Sequence, residues 1–360
     1  MISIIGAGPA GSYLAYLLAK KNYDVNVYEE HSQIGIPIQC SGVITPAIED
    51  ILPLKKDIIV NKIKKVRFHA PNKNYFDVKI KEDYVFDRGK LDMYIASLAE
   101  NAGAKFFLNS RFESLEEGKK VKFKVNNKIH ETDILVGADG PFSKVAQSVG
   151  LLKGRKHIVG FQARAKCDIT DKHLVEIYLG YGEFGWLIPE NDEIARVGIV
   201  GKKEDKKDFE SLLKLTNSKI LCYQSGMIPL YDPKMKSQKD NVYLIGDAAG
   251  MVKGSSQGGI LFSMLAGQCL VDSIQHKKDY QSLWKKKIGL DLWLNLQIRN
   301  TLKKFSSDDF NDLVNYFSKP ELKDILSQNV RDFPSKFVAK MLIKEPRLLR
   351  FGFKLLQFYT

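Results

Sequence analysis

The segment from Ile2 to Glu29 constrains the fold of this chain more than any other stretch. A short apolar run is followed by Gly6, Gly8 and Gly11, by leucines at helical spacing, and by a second alternating run that ends at Glu29. This pattern is typical of a dinucleotide-binding βαβ unit: its glycines make a tight turn, admit the pyrophosphate and let the helix approach the strand. The terminal acid is spaced to accept hydrogen bonds from the ribose hydroxyls. The pattern by itself does not separate NAD from FAD.

A second match to the same glycine spacing serves as a control. Residues Gly180 to Gly185 also read GxGxxG, but Pro189 and a further strand follow too soon for a helix. We therefore predict no second dinucleotide domain for NAD(P)H.

The stretch from Asn241 to Ile260 also contains a strand, a glycine-containing turn and a helix start. A buried apolar strand breaks at Gly246-Asp247, and small residues lead to a helix that begins near Ile260. A helix start offers free N–H groups and the positive end of the helix dipole, so main chain here can approach a polyanion.

Two further pieces lie between these stretches. Arg88 stands at the head of a helix, where a surface arginine would oppose the dipole, and a strand from Ile134 ends in Asp139-Gly140 with Ser143 at the next helix start. The segment around Cys40 is rich in glycine and proline, which indicates a loop with close backbone contacts. Cys40 is either a small buried hydrophobe or a residue close to a cofactor.

These motifs, in this order, resemble the para-hydroxybenzoate hydroxylase superfamily of FAD enzymes. The resemblance implies FAD as cofactor, a Gly-Asp strand end at the ribityl chain and pyrophosphate, an arginine on the phosphates or ribityl chain, and an aspartate that holds structure around the flavin. The implied cofactor contacts are Gly6, Gly8, Ala10, Gly11, Glu29, Cys40, Gly42, Arg88, Asp139, Gly246, Asp247, Gly258, Gly259 and Ile260.

One motif narrows the resemblance to the geranylgeranyl reductase family. Phe184-x-Trp186-x-x-Pro189, followed by Gly198, is similar to the family's substrate motif, which lines a tunnel for a polyprenyl chain. The chain departs from the family with Phe184 for tyrosine, with Ile188 for phenylalanine, and after the Gly-Asp piece. The resemblance implies Phe184, Trp186, Pro189 and Gly198 as substrate contacts, although Trp186 is also compatible with simple sheet packing.

The resemblance implies an α/β fold: a Rossmann-like FAD-binding domain of the GR2 type, an antiparallel-sheet substrate domain and a C-terminal helical segment. We expect the FAD-binding domain in residues 1–65, 81–155 and 236–275. The substrate domain then comprises 66–80 and 156–235, and the helical region 276–360. The lysine-rich residues 55–65 read as a linker or a surface face.

The implied activity is saturation of isoprenoid double bonds, most simply of membrane lipid precursors, by hydride transfer from N5 of reduced flavin. Cys40 is a candidate proton donor, as are a tyrosine or a water at the flavin. Two alternatives remain on the same scaffold: a monooxygenase or halogenase of an aromatic or quinone substrate, and a prenyl-binding escort protein without catalysis. The electron donor, whether NAD(P)H, ferredoxin or another, is left open.

Charge and cysteine usage bear on partners. The chain has 55 Lys and Arg against 42 Asp and Glu, a formal net charge of +13, which favours an anionic partner or reflects a lysine-rich surface. No nucleic-acid module is visible, and the four scattered cysteines predict neither a metal site nor a disulfide framework. With a first strand beginning at Ile2 and no stretch long enough to span a bilayer, we expect a cytoplasmic protein.

The last segment, 334–360, adds one expectation. Its basic residues step by three or four positions, which predicts a single cationic stripe on a helix that Pro346 can kink: Lys336, Lys340, Lys344, Arg347, Arg350 and Lys354. Such a helix either lies on an anionic membrane, here the inner face of the cell membrane, or packs on the domain with its charges in water.

Overall fold

The computed structural model describes residues 1–351. Its strands, numbered in chain order, are β1 Ile2–Ile5, β2 Val25–Tyr28, β3 Val43–Ile44, β4 Ile59–His69, β5 Tyr75–Phe86, β6 Lys105–Phe107, β7 Phe112–Glu116, β8 Val121–Val125, β9 Lys128–Thr132, β10 Ile134–Gly137, β11 His157–Lys166, β12 Leu174–Tyr178, β13 Phe184–Pro189, β14 Ile194–Gly201, β15 Lys219–Pro229, β16 Gln238–Lys239 and β17 Val242–Leu244. Its helices are α1 Pro9–Ala19, α2 Arg88–Asn101, α3 Lys144–Ser148, α4 Lys206–Leu215, α5 Ile260–His276, α6 Tyr280–Trp284, α7 Leu290–Leu302, α8 Ser307–Phe317, α9 Pro320–Gln328 and α10 Val338–Lys344.

The first of two compact units comprises Met1–Ile38, Arg88–His157 and Ile228–Trp293. Its main sheet has the order β16-β17-β10-β1-β2-β6, and all neighbours except β16 and β17 run parallel. All four residues of β1 are buried, because a parallel strand covered on both faces is apolar throughout rather than alternating. Helix α1 packs against α2 and α5.

The topology of this sheet gathers the predicted motifs at one edge. Gly6, Glu29, Ala138 and Ile245 each follow directly on one of the parallel strands β1, β2, β10 and β17. The carboxyl ends of parallel strands meet at the same edge of a sheet, where open α/β folds place their ligands. A separate sheet with the order β7-β8-β9 completes the unit.

The second unit comprises Gln39–Asp87, Ile158–Met227 and Leu294–Thr360, of which the structure describes the part up to residue 351. Its sheet has the order β15-β11-β14-β13-β12-β4-β5-β3. Helix α4 covers one face through Phe209 and Leu212, which form a buried cluster with Val197 and Ile199 of β14. The predicted antiparallel pairing is present between β11 and β14, β14 and β13, β13 and β12, β4 and β5, and β5 and β3, whereas β4 and β12 pair in parallel.

Of the two interpretations of residues 55–65, the surface face is the one observed. They are not a linker, because β4 begins at Ile59; its alternation buries Asn61 and Ile63 while Lys62 and Lys64 face solvent. The division into FAD-binding, substrate-binding and C-terminal regions remains a prediction, while the structure groups residues 39–87 with the strands of the second unit.

The predicted single C-terminal helix is also interrupted. Helix α10 ends at Lys344, and Glu345 lies outside the α region, with φ −137° and ψ 80°, because that region is disfavoured before proline. The guanidinium of Arg347 pairs with Glu345 and that of Arg350 with Asp312, so these two cations are not part of a free stripe. Lys354 lies outside the described residues. Among residues 1–351, no helix has both the length and the apolar character needed to cross a bilayer.

Candidate functional site

The first and third glycines of the fingerprint are required by the fold itself. Gly6 has a φ of +100°, and a Cβ there would lie 2.4 Å from the carbonyl oxygen of Ala138. A Cβ on Gly11 would lie 2.0 Å from the carbonyl oxygen of Gly6. Both positions therefore exclude any side chain before a ligand is considered.

The middle glycine has a different reason. A Cβ on Gly8 would meet no protein atom within 4 Å, so the protein's own packing does not demand glycine here. Gly8 is the N-cap of α1, no side chain caps that end, and Pro9 is the first helical residue. Open space beside an uncapped helix start, facing the positive end of the dipole, fits the pyrophosphate of a dinucleotide.

Glu29 closes the same turn from the end of β2. Its Oε2 accepts a hydrogen bond of 2.8 Å from the Ala7 N–H, and its Oε1 accepts from the N–H and Nδ1 of His31 at 3.0 and 2.6 Å. Each carboxylate oxygen has several lone-pair directions. The carboxylate is therefore held in place while it keeps capacity to accept from ribose hydroxyls.

The Gly246-Asp247 piece lies against the fingerprint. Gly246 has a φ of +61°, and a Cβ there would come within 2.9 Å of the Ala10 Cβ. At the other end of the loop, a Cβ on Gly259 would lie 3.1 Å from Oδ1 of Asp247. The predicted residues Ala10, Gly246, Asp247 and Gly259 are thus brought together, and Ile260 begins α5 directly after them.

Desolvation raises the pKa of the Asp247 carboxyl, and the electrostatic influence of Arg88, Arg155 and His157 opposes that rise. Of these three residues, only Arg88 was predicted. The Arg88 guanidinium makes a two-pronged ion pair with Asp92 one turn later in α2, at 2.9 Å for the Nη2–Oδ2 contact. This pairing explains how arginine is accommodated at a helix start.

Asp139 is used mainly inside its own loop. Its Oδ1 accepts from the Ser143 hydroxyl at 2.6 Å and its Oδ2 from the Val145 N–H at 3.1 Å, while Ser143 caps α3 by accepting from the Ala146 N–H. Burial raises the pKa of the Asp139 carboxyl. This arrangement agrees with the implied role of an aspartate that holds the loop rather than one that reacts.

Sequence reasoning missed Arg155. Its Nη1 donates to the main-chain oxygen of Asp247 at 3.1 Å and its Nη2 approaches Sδ of Met235 at 2.9 Å, whereas its buried Nε has no hydrogen-bond partner within residues 1–351. An unsatisfied buried donor in such a place is a plausible ligand contact. No local pattern distinguishes Arg155 from the other basic residues around it.

Sequence reasoning also missed Lys253, in the loop between Asp247 and α5. Its residue is only 4% exposed, and burial lowers the pKa of its ammonium group to about 7. A Cβ on Gly258 would lie 3.1 Å from the Lys253 Nζ, so the predicted glycine makes room for this side chain. A lysine among small residues was the available indication.

The predicted substrate residues lie in the second unit. The indole of Trp186 donates from Nε1 to Oε1 of Gln162 at 3.1 Å, and its ring centroid is 5.9 Å from that of Phe184. A Cβ on Gly198 would lie 2.4 Å from Cζ2 of the indole, so glycine at 198 admits the ring. Gln162 in turn donates to Gln224, a buried polar connection that sequence reasoning did not identify.

Cys40 belongs to the same unit. Its Sγ accepts a hydrogen bond from the Gly42 N–H at 3.4 Å, and Gly42 has a φ of +71°. The preceding residue packs on the sheet, since a Cβ on Gly226 of β15 would lie 3.1 Å from the Cβ of Gln39. Pro189 ends β13 and is buried.

The chain is similar to known proteins in sequence and in fold. Residues 4–41 match the NAD(P)-binding Rossmann-like domain family. The chain is 28% identical to a digeranylgeranylglycerophospholipid reductase of Methanocaldococcus jannaschii, over 97% of this chain and 96% of the relative.

Two solved structures share the fold. A geranylgeranyl bacteriochlorophyll reductase-like protein from Thermoplasma acidophilum superposes with a TM-score of 0.83 at 22% identity, covering 96% of this chain and 98% of that one. The flavin-dependent brominase Bmp2 superposes with a TM-score of 0.73 at 18% identity, covering 98% and 99%.

The fold and these similarities together indicate an oxidoreductase of the flavin-dependent, Rossmann-like class. The chain is similar to several digeranylgeranylglycerophospholipid reductases over nearly its whole length, at 25% to 28% identity. The predicted fold class, flavin-dependent enzyme class and resemblance to these reductases are thereby confirmed.

Proposed function

We propose that this protein is a FAD-dependent reductase that saturates the double bonds of geranylgeranyl chains on a membrane lipid precursor. The observation that carries the proposal is the similarity over 97% of the chain to a reductase named for that substrate. The substrate motif around Trp186 and Gly198 supports it, because it is built for an aromatic wall rather than for a polar ligand.

The residues of the first unit that would hold FAD divide by chemistry. Gly8 and the uncapped start of α1 would take the pyrophosphate, and Glu29 the ribose hydroxyls. Arg88 and the loop from Gly246 to Ile260 would take the remainder of the cofactor. When bound, FAD supplies the reducing equivalents for the alkene.

The residues of the second unit would orient the substrate and exclude water. An isolated alkene offers no charge or hydrogen-bonding group, so position and dryness are what a protein contributes to its reduction. The indole of Trp186 is fixed by Gln162 and flanked by Phe184, and Ile188 lies in the buried cluster that Trp186 covers. Such a surface suits an isoprenoid chain.

We propose that Cys40 donates the proton that the alkene takes up during reduction. Its thiol carries one exchangeable proton, and the Gly42 N–H that points at Sγ holds the side chain in place. A Cys40→Ala variant should keep FAD and lose most turnover, whereas Cys222→Ala, at an exposed cysteine, should behave as the unchanged protein.

The proposal also includes two partners, an electron donor and a membrane surface. The electron donor is an external one, NAD(P)H or a ferredoxin. An anionic membrane would be met by the exposed end of α10, where Ile343 is 76% exposed and Lys340 and Lys344 face solvent. A Ile343→Ser, Lys344→Glu double variant should then sediment less with anionic liposomes and equally little with neutral ones.

The decisive experiment uses the purified full chain. It should be yellow, bind FAD, and after reduction by dithionite convert a geranylgeranyl glycerophospholipid into products heavier by one H₂ per double bond in mass spectra. A colourless protein that binds the lipid would indicate an escort protein. NADPH oxidation stimulated by a phenol or quinone, with oxygen consumed and the lipid unchanged, would indicate a monooxygenase.

A further inference from the structure

One buried guanidinium in the second unit has no part in the site described so far. Arg196 lies in β14, where it pairs directly with Ile188 of β13, just as Gly198 pairs with Trp186. Side chains of directly paired residues project from the same face of a sheet, and so do residues two apart in one strand. Arg196 therefore stands on the face that carries Trp186.

The Arg196 side chain is almost fully covered, with 7% of the residue exposed. Its Nε donates to Oε1 of Glu190 at 2.8 Å, and both side chains of this pair are 9% exposed. The other oxygen of Glu190 accepts from Nε of Arg164 at 2.8 Å. A buried charge needs such partners, since its desolvation cost is otherwise uncompensated.

The remaining donors of Arg196 reach main chain far away in sequence. Nη1 donates to the carbonyl oxygen of Phe86 at 3.0 Å and also to the carbonyl oxygen of Ser41. The same two segments are joined to each other, because the Phe86 N–H donates to the Gly42 oxygen at 2.9 Å. One guanidinium thus closes a junction between β14, the end of β5 and the segment that contains Cys40.

The two segments are those with predicted functional residues. Ser41 directly follows Cys40, and Phe86 stands two positions before Arg88 in sequence. A planar guanidinium holds a carboxylate and two carbonyls in fixed directions, whereas the three donors of a lysine ammonium rotate on a flexible stem. This geometry suits a residue that sets the position of a loop.

We infer that Arg196 is a positioning residue that fixes the Cys40 segment on the Trp186 face of the sheet. Its hydrogen bonds to Ser41 and Phe86 hold the backbone on both sides of the junction, and Glu190 keeps the guanidinium oriented. The inference rests on the proposed function only for what Cys40 does in turnover; the structural effect on Cys40 is independent of it.

The test compares Arg196→Met with a matched control, Arg164→Met. Arg164 binds the same Glu190 but its side chain is 39% exposed, so the control removes one Glu190 partner and leaves the junction intact. The readout is the rate at which N-ethylmaleimide modifies Cys40 in the full chain, followed by peptide mass spectrometry, with the exposed Cys222 as internal reference.

We expect Arg196→Met to raise the Cys40 modification rate about tenfold, the effect of losing a charged hydrogen bond, with Cys222 unchanged. Arg164→Met should leave both rates unchanged, and Arg196→Lys should fall between. In lipid reduction, Arg196→Met should lower kcat more than it changes KM. The yellow colour and FAD affinity should persist.

Equal Cys40 rates in Arg196→Met, Arg164→Met and the unchanged protein would overturn the inference. If Arg196→Met fails to fold because Glu190 is left buried without its partner, the double variant Arg196→Met/Glu190→Met removes both charges, and the same rate comparison decides. A wild-type protein without FAD or lipid reduction would refute the proposed function while the modification rates still test Arg196.

Discussion

The indole of Trp186 lies so close across the backbone of Gly198 that a Cβ at residue 198 would come within 2.4 Å of the ring carbon Cζ2. The same added carbon would lie 2.5 Å from the carbonyl oxygen of Phe161, so neither side of the position can yield easily. Glycine is therefore required at residue 198 because the Trp186 ring leaves no room for a side chain there.

A Gly198→Ala variant should therefore push the indole out of place. We expect the free energy of unfolding to fall by about 1–3 kcal/mol, measured by urea denaturation, together with a loss of lipid reduction. Gly289→Ala is the matched control, because its added carbon would meet only ordinary contacts at 3.4 Å and beyond. Unchanged stability in Gly198→Ala would contradict the geometry.

The fingerprint glycines should separate folding from cofactor binding. Gly8→Ala adds a methyl group to open space, so we expect near-normal thermal stability of the apoprotein but weak FAD binding, measured by flavin fluorescence quenching. Gly11→Ala places the methyl 2.0 Å from a carbonyl oxygen and should destabilise the fold itself. Tight FAD binding by Gly8→Ala would show that the pyrophosphate lies elsewhere.

Lys253 should give stability an unusual pH dependence. Burial lowers the pKa of its ammonium group to about 7 in the folded chain, whereas an unfolded lysine titrates near about 10.4. Between these values the unfolded chain binds more protons, so the free energy of unfolding rises with pH, by at most about 1.4 kcal/mol per pH unit.

Thermal denaturation tests this directly when it is measured from neutral pH up to the highest alkaline pH at which the protein is still folded. The stability of the Lys253→Met variant should depend less on pH than that of the unchanged protein. The Lys128→Met variant, at an exposed lysine, should show the same change of stability with pH as the unchanged protein. Parallel curves for all three proteins would mean that Lys253 keeps an ordinary pKa.

Breaking the buried ion pair between Arg299 and Glu183 should lower the free energy of unfolding more than breaking any surface pair. The side chains are 6% and 12% exposed, and Nε of Arg299 donates to Oε2 of Glu183 at 2.7 Å. Arg299→Met leaves a carboxylate without its partner and should cost about 3–5 kcal/mol of stability. The measurement is the free energy of unfolding in urea.

Two controls accompany that variant. The double variant Arg299→Met/Glu183→Gln should recover part of the loss, because no buried charge remains. Lys172→Met breaks an exposed pair with Asp192 and should cost less than about 1 kcal/mol. A loss of similar size in Lys172→Met would contradict the assignment of the effect to burial.

What could be predicted from the sequence depends on how far apart the interacting residues are. Gly6, Gly8, Gly11 and Glu29 lie within one βαβ unit, whose turn, helix and strand end obey short-range rules, so their arrangement is readable from spacing alone. The loops after β10 and β17 were readable for the same reason, since each strand end is followed at once by its own turn.

Arg196 could not be found in this way. Its partner Ser41 is 155 positions away in sequence, and only the sheet order from β14 through β13, β12, β4 and β5 to β3 brings them together. Every residue of β14 from Ala195 to Gly201 is buried, and nothing along the strand indicates the carbonyls that make arginine tolerable there. Lys253 is a similar case, because among 55 basic residues its small neighbours in sequence are the one local indication of burial.

The C-terminal segment failed for a different reason. Spacing of three and four positions predicts a helix through Lys354, yet the proline at 346 takes Glu345 out of the α region, and Glu345 binds Arg347. Helical spacing can therefore continue in a sequence beyond the residue at which a proline ends the helix.

The unequal reasons for the three fingerprint glycines offer a way to read divergent relatives of this chain. A descendant that abandoned its nucleotide but kept the architecture would still be obliged to retain glycine at 6 and 11, and selection would relax at position 8 alone. Substitution of that one residue in an otherwise intact turn would mark an ancestral enzyme that has become a scaffold.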